Sequence, residues 1–309
     1  MRKKTIGIVG PGDHFKKKIY PILDNSHFFE IKGILRKRNK KIANIKNFNE
    51  SQFFKDKFDF IYISSPNLTH EKYIIKSLNS GAHVICEKPF LIRKKNLKKI
   101  VELARKKKKL IFEAFMFMYH PAYQFVESLL KDKKNNNLKY VVSNFRYPSL
   151  KKNNNRYKKK EGNGFLNDAG AYLVALEANL FEKIKQKNTL FFTQQIKKNI
   201  SLRGNMYITS NKFNRFYFWG EGQNYMNNLE IFFDKKTIYI DKFYSKLNND
   251  KIVIKIFENN KIKKKLIKNV NQFKNMFKMI EKNYNKKFFQ EEQRKKIYKQ
   301  VKLLTKLNN

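Results

Sequence analysis

Thr5-Ile-Gly-Ile-Val-Gly-Pro-Gly12 is the stretch on which the fold turns. Its first five residues are apolar enough for a short buried strand, and Gly10-Pro11-Gly12 ends it. Phe15, Ile19, Ile22 and Leu23 then recur at the spacing of one helical face. A strand that enters a helix through a glycine turn is suited to phosphate. The glycines let the backbone come close, and the amides at the helix start point at the anion. Gly10, Gly12, Asp13 and His14 are therefore candidate cofactor-binding residues. The third small residue of such a fingerprint is missing: Phe15 stands there and is expected to crowd the turn.

Outward from this turn, strands and helices alternate. Residues 29–35, 58–65, 82–86 and 110–115 read as strands, and residues 69–79 and 94–108 as helices. Gly81 suits the end of the first of those helices. Alternation of this length predicts parallel strands joined by right-handed crossovers, a doubly wound Rossmann sheet over residues 1–120. Ligands of such sheets bind beyond the carboxyl ends of the strands. From about residue 138 the texture changes. Residues 138–147, 189–195, 201–209, 215–219, 228–233, 237–240 and 251–257 read as strands with little helix among the later ones. A second α+β domain with a largely antiparallel open sheet is expected over residues 121–309. It carries a helical insertion at 164–184 and a last helix at about 289–306.

The chain has 309 residues and a formal charge of +44, with 69 basic against 25 acidic residues. Ten of the basic residues are arginine, and the lysine runs are scattered. Nucleic-acid footprints favour a stripe rich in arginine, so the charge is read as a composition bias on solvated positions, with no specific nucleic-acid partner. The single cysteine, Cys86, excludes an intrachain disulfide and reads as inert packing in a strand. A cytoplasmic location is expected. The apolar stretch after Met1-Arg-Lys-Lys is too short for a signal peptide, and no run is long enough to span a membrane. The Glu, His, Asp and Cys residues show no metal-ligand spacing, so no metal is expected.

Three segments carry a family resemblance: Ile61-Tyr-Ile-Ser-Ser-Pro-Asn-Leu-Thr-His70, Gly81-Ala-His-Val-Ile-Cys-Glu-Lys-Pro89, and Glu113-Ala-Phe-Met-Phe-Met-Tyr-His-Pro121. In order and spacing they resemble the Gfo/Idh/MocA oxidoreductases, named for glucose-fructose oxidoreductase and inositol dehydrogenase. Further on, Gly164-Phe-Leu-Asn-Asp-Ala-Gly-Ala-Tyr172 resembles that family's D-x-G-x-H or D-x-G-x-Y motif.

The resemblance implies a nicotinamide cofactor lined by Ser64, Pro66, Asn67, His70, Glu87 and Lys88. It also implies catalysis by Lys88, Asp168 and Tyr172. Lys88 stabilises alkoxide character as hydride leaves. Tyr172, where the family often has His, exchanges the proton. Asp168 orients the substrate or Lys88. Taken as residues alone, His14, His70 and His120 fit core or surface positions equally well. At the end of the second strand, where NAD-preferring enzymes carry an acid, Leu35 is followed by Arg36, Lys37 and Arg38. NADP is therefore favoured over NAD. The activity expected is hydride transfer to or from a secondary alcohol or ketone of a sugar or sugar derivative, with a nucleotide sugar as one candidate. The alternatives are a free-sugar or dihydrodiol dehydrogenase and a cofactor-binding protein without catalysis. A homo-oligomer through the C-terminal sheet is expected. Met118 replaces an arginine common before the aromatic-His-Pro segment.

Overall fold

The computed structural model describes residues 2–36, 42, 44–132, 137–158, 164–181, 188–247, 250–268 and 270–309. Two compact units emerge. The first comprises Met1–Phe115 and Met276–Asn309; the second comprises Met116–Lys159 and Asn163–Asn275.

The first unit is built on six strands: β1 (Lys4–Val9), β2 (Phe29–Leu35), β3 (Asn47–Phe48), β4 (Phe60–Ile63), β5 (His83–Cys86) and β6 (Ile111–Glu113). Their order is β3-β2-β1-β4-β5-β6, all parallel. This is the Rossmann order, which reverses between β1 and β4 and opens a ligand crevice there. A parallel sheet needs both faces covered. On one face Ile61, Ile63, Val84 and Cys86 meet α3 (His70–Asn79) and α4 (Leu97–Lys106), with Ile297 and Val301 of the C-terminal helix in the same cluster. On the other face aromatic rings dominate. Phe29 and Phe60 meet edge to face at 5.2 Å, and Phe29 meets Phe277 at 5.8 Å. Phe15 opens α1, a π turn (Phe15–Ile19) running into an α turn (Tyr20–Asp24). Short helix α2 (Glu50–Lys55) is capped by Asn49, whose side chain accepts from the Gln52 amide.

The second unit opens with α5 (Pro121–Lys131) and continues with β7 (Leu138–Tyr147). A helical segment follows: a π turn (Leu166–Gly170), α6 (Ala171–Leu176) and a second π turn (Glu177–Phe181). Seven more strands complete the sheet: β8 (Asn188–Lys197), β9 (Ile200–Ser210), β10 (Asn214–Glu221), β11 (Met226–Phe233), β12 (Lys236–Ile240), β13 (Ile252–Glu258) and β14 (Lys261–Ile267). The sheet order is β14-β13-β12-β11-β7-β10-β9-β8. Only the β7–β10 pair is parallel; the others are antiparallel. Trp219 and Tyr217 of β10 and Phe145 of β7 are buried against the helical segment. The opposite face carries a stack of rings, with Tyr207 on Phe216 at 4.5 Å and Phe191 on Tyr207 at 6.2 Å.

Two helices close the chain, α7 (Gln272–Asn283) and α8 (Lys287–Asn308). The sequence reading assigned the whole C-terminal stretch to the second domain. In the structure residues 276–309 belong to the first unit. Phe289 stacks on Phe112 at 6.3 Å, and Arg105 pairs with Glu291 at 3.1 Å. The apolar stripe of α8 thus finds its partner on the parallel sheet.

Candidate active site

Gly10 takes φ +67°, a conformation that favours glycine, and a Cβ there would lie 2.7 Å from Ser65 Cα. Gly12 is different. A Cβ built on it meets nothing within 4 Å, so open space lies over the turn where a ligand backbone could approach. Phe15 leaves that space clear. It is fully buried and packs against Tyr62 at 5.9 Å, so the expected crowding of the turn does not occur. Asp13 is exposed beside it.

The carboxyl end of β5 meets this turn. Glu87 Oε1 accepts from the Tyr62 hydroxyl and from His14 Nε2 at 3.3 Å. Burial alone would raise the Glu87 carboxyl, but His14, the Tyr62 hydroxyl and the Lys88 ammonium outweigh it and hold it at about 2. Burial would likewise lower His14, yet Glu87 raises it above the ordinary imidazole value. The pair therefore places a His14 ring of raised basicity in the phosphate turn, against the residue that precedes Lys88.

Two buried groups fasten the segment that carries Lys88. His70 is wholly buried, with Nδ1 2.9 Å from Pro89 O and Nε2 2.9 Å from Ser65 O. Burial lowers its basicity, and each ring nitrogen faces one backbone carbonyl. His70 thus ties the loop after β4, with Ser64, Pro66 and Asn67, to the loop after β5. Glu113, at the end of β6, accepts from the Phe90 amide through Oε1 at 2.7 Å, while its buried Oε2 has no partner. Burial pushes the Glu113 carboxyl up to about 8 despite the Phe90 amide and Lys88. Arg36 follows β2, half-buried; Lys37 and Arg38 lie outside the described residues.

In the second unit the sequence-predicted Asp168 and Tyr172 both lie on the helical segment, Asp168 in its first π turn and Tyr172 in α6. Asp168 Oδ2 accepts from Arg156 Nε at 2.5 Å and from the Tyr147 hydroxyl at 2.8 Å. Tyr172 is almost fully buried among Phe117, Phe145 and Tyr244, with its hydroxyl 3.6 Å from Met116 Sδ. His120 caps α5, its Nδ1 accepting from the Ala122 amide at 3.1 Å. Burial and then Lys246 lower His120 to about 3, and burial lowers Lys246 to about 7.

Sequence reasoning passed over Tyr62, Glu113, Arg156 and Tyr147 as site residues. Tyr62 and Glu113 stood within quoted motifs. The other two are recognisable only by a shared partner, Asp168, 12 and 21 residues away. Among the described residues no cluster of His, Cys, Asp and Glu could hold a metal. No helix among them is long and apolar enough to cross a membrane.

Known proteins resemble this chain in sequence and in fold. A dTDP-3,4-didehydro-2,6-dideoxy-α-D-glucose 3-reductase of Actinomadura kijaniata is 25% identical over 180 residues, 55% of this chain and 53% of that one. A trans-1,2-dihydrobenzene-1,2-diol dehydrogenase of Xenopus laevis is 27% identical over 130 residues, 42% of this chain and 39% of that one. The chain thus spans about half the length, or less, of these curated relatives. A crystal structure of a 3-ketoreductase from Actinomadura kijaniata with NADP and TDP-benzene superimposes with a TM-score of 0.89 at 18% identity, covering 98% of this chain and 96% of that one. An aldose-aldose oxidoreductase from Caulobacter crescentus gives 0.81 at 13% identity, covering 100% and 99%. These two likenesses show the fold. Residues 4–115 match the model of the Gfo/Idh/MocA oxidoreductase family, NAD-binding Rossmann fold.

Proposed function

We propose that the protein is an NAD(P)-dependent oxidoreductase that transfers hydride to or from a secondary alcohol or ketone of a sugar derivative. The substrate class proposed is a nucleotide-activated sugar. One observation carries the reading: Glu87 joins His14 of the phosphate turn at 3.3 Å and immediately precedes Lys88, so dinucleotide-binding and proton-handling groups share one cluster. The open space over Gly12, the positive-φ glycine at position 10 and the His14 ring, its basicity raised by Glu87, fit a dinucleotide diphosphate. When bound, the nicotinamide supplies the hydride donor or acceptor.

The chain's own residues supply the rest. Lys88 donates to the substrate oxygen and stabilises alkoxide character. Tyr172 exchanges the hydroxyl proton. Asp168, held by Arg156 and Tyr147, orients the substrate. Arg36 meets the 2′-phosphate of NADP, which is why NADP is favoured over NAD. The nucleotide-sugar class is supported by the dTDP-sugar reductase among the relatives. A homo-oligomer formed through the ring-bearing face of the C-terminal sheet belongs to the same reading, since Phe191 and Tyr140 are exposed there.

Calorimetric titration should show NADP(H) binding at least as tightly as NAD(H), and Arg36→Ala should remove the difference. Clear NAD preference unchanged in that variant would defeat the cofactor assignment. Lys88→Ala should slow single-turnover hydride transfer by about a hundredfold or more, with cofactor binding little changed. Tyr172→Phe, which keeps the ring in its packed site, should cost a factor of about 10² to 10⁴. Equal rates for Tyr172→Phe and the unaltered protein would show that the proton leaves by another group.

A further inference from the structure

Gly220 lies between two arginines. In the register of β10 it faces Arg146 of β7 on one side and Arg203 of β9 on the other. Register partners project to the same face of a sheet. Here it is the face opposite the helical segment, because Trp219, one residue along, is buried against that segment. The two arginine stems therefore stand two strand spacings apart, about 9–10 Å, with no side chain between them. The gap is enforced: Gly220 has φ +146°, and a Cβ there would lie 2.2 Å from Arg203 Cβ.

The gap belongs to a groove of about 210 Å³ whose rim adds Thr193, Gln195, Asn205 and Gln223. No carboxylate lines it. Arg105, Arg156, Arg215 and Arg294, by contrast, each meet a carboxylate. Arg203 Nε donates to Gln195 Oε1, and Arg146 Nη1 reaches Gln223 Oε1 only at 3.5 Å. Arg146 Nη2 meets the sulfur of Met226, a weak acceptor, and its buried Nε has no partner. A partly buried guanidinium without a counter-ion is costly, and an anion in reach of its fork offsets that cost.

We propose that Arg146 and Arg203, spaced by Gly220, form an oxyanion site that takes a single phosphoryl-sized group. The groove is smaller than the roughly 300–1,000 Å³ of pockets that enclose drug-sized ligands, so it holds a phosphate rather than a whole nucleotide. The site lies within the second unit and does not rest on the oxidoreductase activity, but it shares its sheet face with Tyr140 and Phe191, so a homo-oligomer formed there must leave the groove open. The phosphate is either free or the terminal group of a nucleotide whose remainder lies outside the groove.

Inorganic phosphate titrated into the full chain at fixed ionic strength tests the site, by calorimetry and by amide shifts of β9 and β10. The double variant Arg146→Gln/Arg203→Gln should lose at least tenfold in affinity. A charge-matched variant of two exposed lysines, Lys212→Gln/Lys235→Gln, should lose nothing at this site. Arg203→Lys keeps the charge at an exposed position without the fork and should bind more weakly than the unaltered chain. Thymidine diphosphate binding more tightly than phosphate, with both lost in the arginine variant, assigns a nucleotide source; equal or weaker binding assigns free phosphate. Equal losses in the arginine and lysine variants, or phosphate binding without shifts in β9 and β10, would overturn the proposal.

Discussion

Glu113 carries a proton that an exposed glutamate would have released. Its burial lifts the carboxyl from about 4.5 to about 8. Between those values the folded chain binds one proton more than the unfolded chain at this site, so its contribution to stability falls as pH rises through that window and is flat above it. At about 1.4 kcal/mol per pKa unit the change amounts to a few kcal/mol. Glu113→Gln keeps an oxygen for the Phe90 amide and removes the titration. In urea unfolding the variant should therefore gain on the unaltered chain between pH 5 and pH 8. An identical stability difference at both pH values would mean that Glu113 ionises in the fold as it does in water. This residue also marks the limit of what the sequence discloses. Lys88 and Glu87 are legible because their motif is contiguous and follows a recognisable strand. The proton on Glu113 depends on burial that no spacing encodes, against the opposing pull of the Phe90 amide 23 residues away.

Elements were legible wherever one face is buried and the pattern is regular. β2 and β7 occur where the sequence reading places them, at Phe29–Leu35 and Leu138–Tyr147. β14, Lys-Ile-Lys-Lys-Lys-Leu-Ile, escaped because it is an edge strand whose Ile262 and Leu266 are exposed among lysines. α7 escaped although Phe273, Met276, Phe277 and Ile280 follow the helical period, a readable signal left unassigned. The π turns have no pattern of their own; tertiary contacts impose them. One such contact joins β10 to the second π turn. Arg215 and Glu177 are both buried and pair at 3.0 Å, and Tyr217 donates to the same carboxylate at 2.7 Å. Breaking a buried pair from one side strands the other charge, at a cost of about 3–5 kcal/mol. Glu177→Gln should lower the denaturation midpoint accordingly. Tyr217→Phe removes one hydrogen bond and should cost more than the usual ~1 kcal/mol of a neutral one, because its acceptor is charged. A Glu177→Gln protein as stable as the original would show that the pair contributes nothing to holding the helical segment on β10.

At the scale of the whole molecule, 25 acidic residues serve 69 basic ones. The acids are consequently shared. Glu50 meets both Lys72 and Lys76, and Glu291 meets both Arg105 and Arg294. Such sharing neutralises a few cations and leaves a surface of exposed lysine whose self-repulsion opposes the compact state. Salt screens that repulsion: the Debye length shrinks from about 10 Å at 0.1 M to about 3 Å at 1 M. It also weakens the exposed ion pairs, but those contribute little each, so the repulsion is the larger quantity to be screened. The melting temperature should therefore rise between about 0.05 M and 0.5 M sodium chloride. The same field predicts DNA binding that is weak, indifferent to sequence and lost over that range, because it rests on counterion release alone. Melting followed at five salt concentrations, beside a DNA titration at each, examines both. A melting temperature that falls with salt would make the shared ion pairs the dominant electrostatic contribution. Tight binding of one DNA sequence that persists at 0.15 M salt would reverse the reading of the charge as a composition bias and give it a partner.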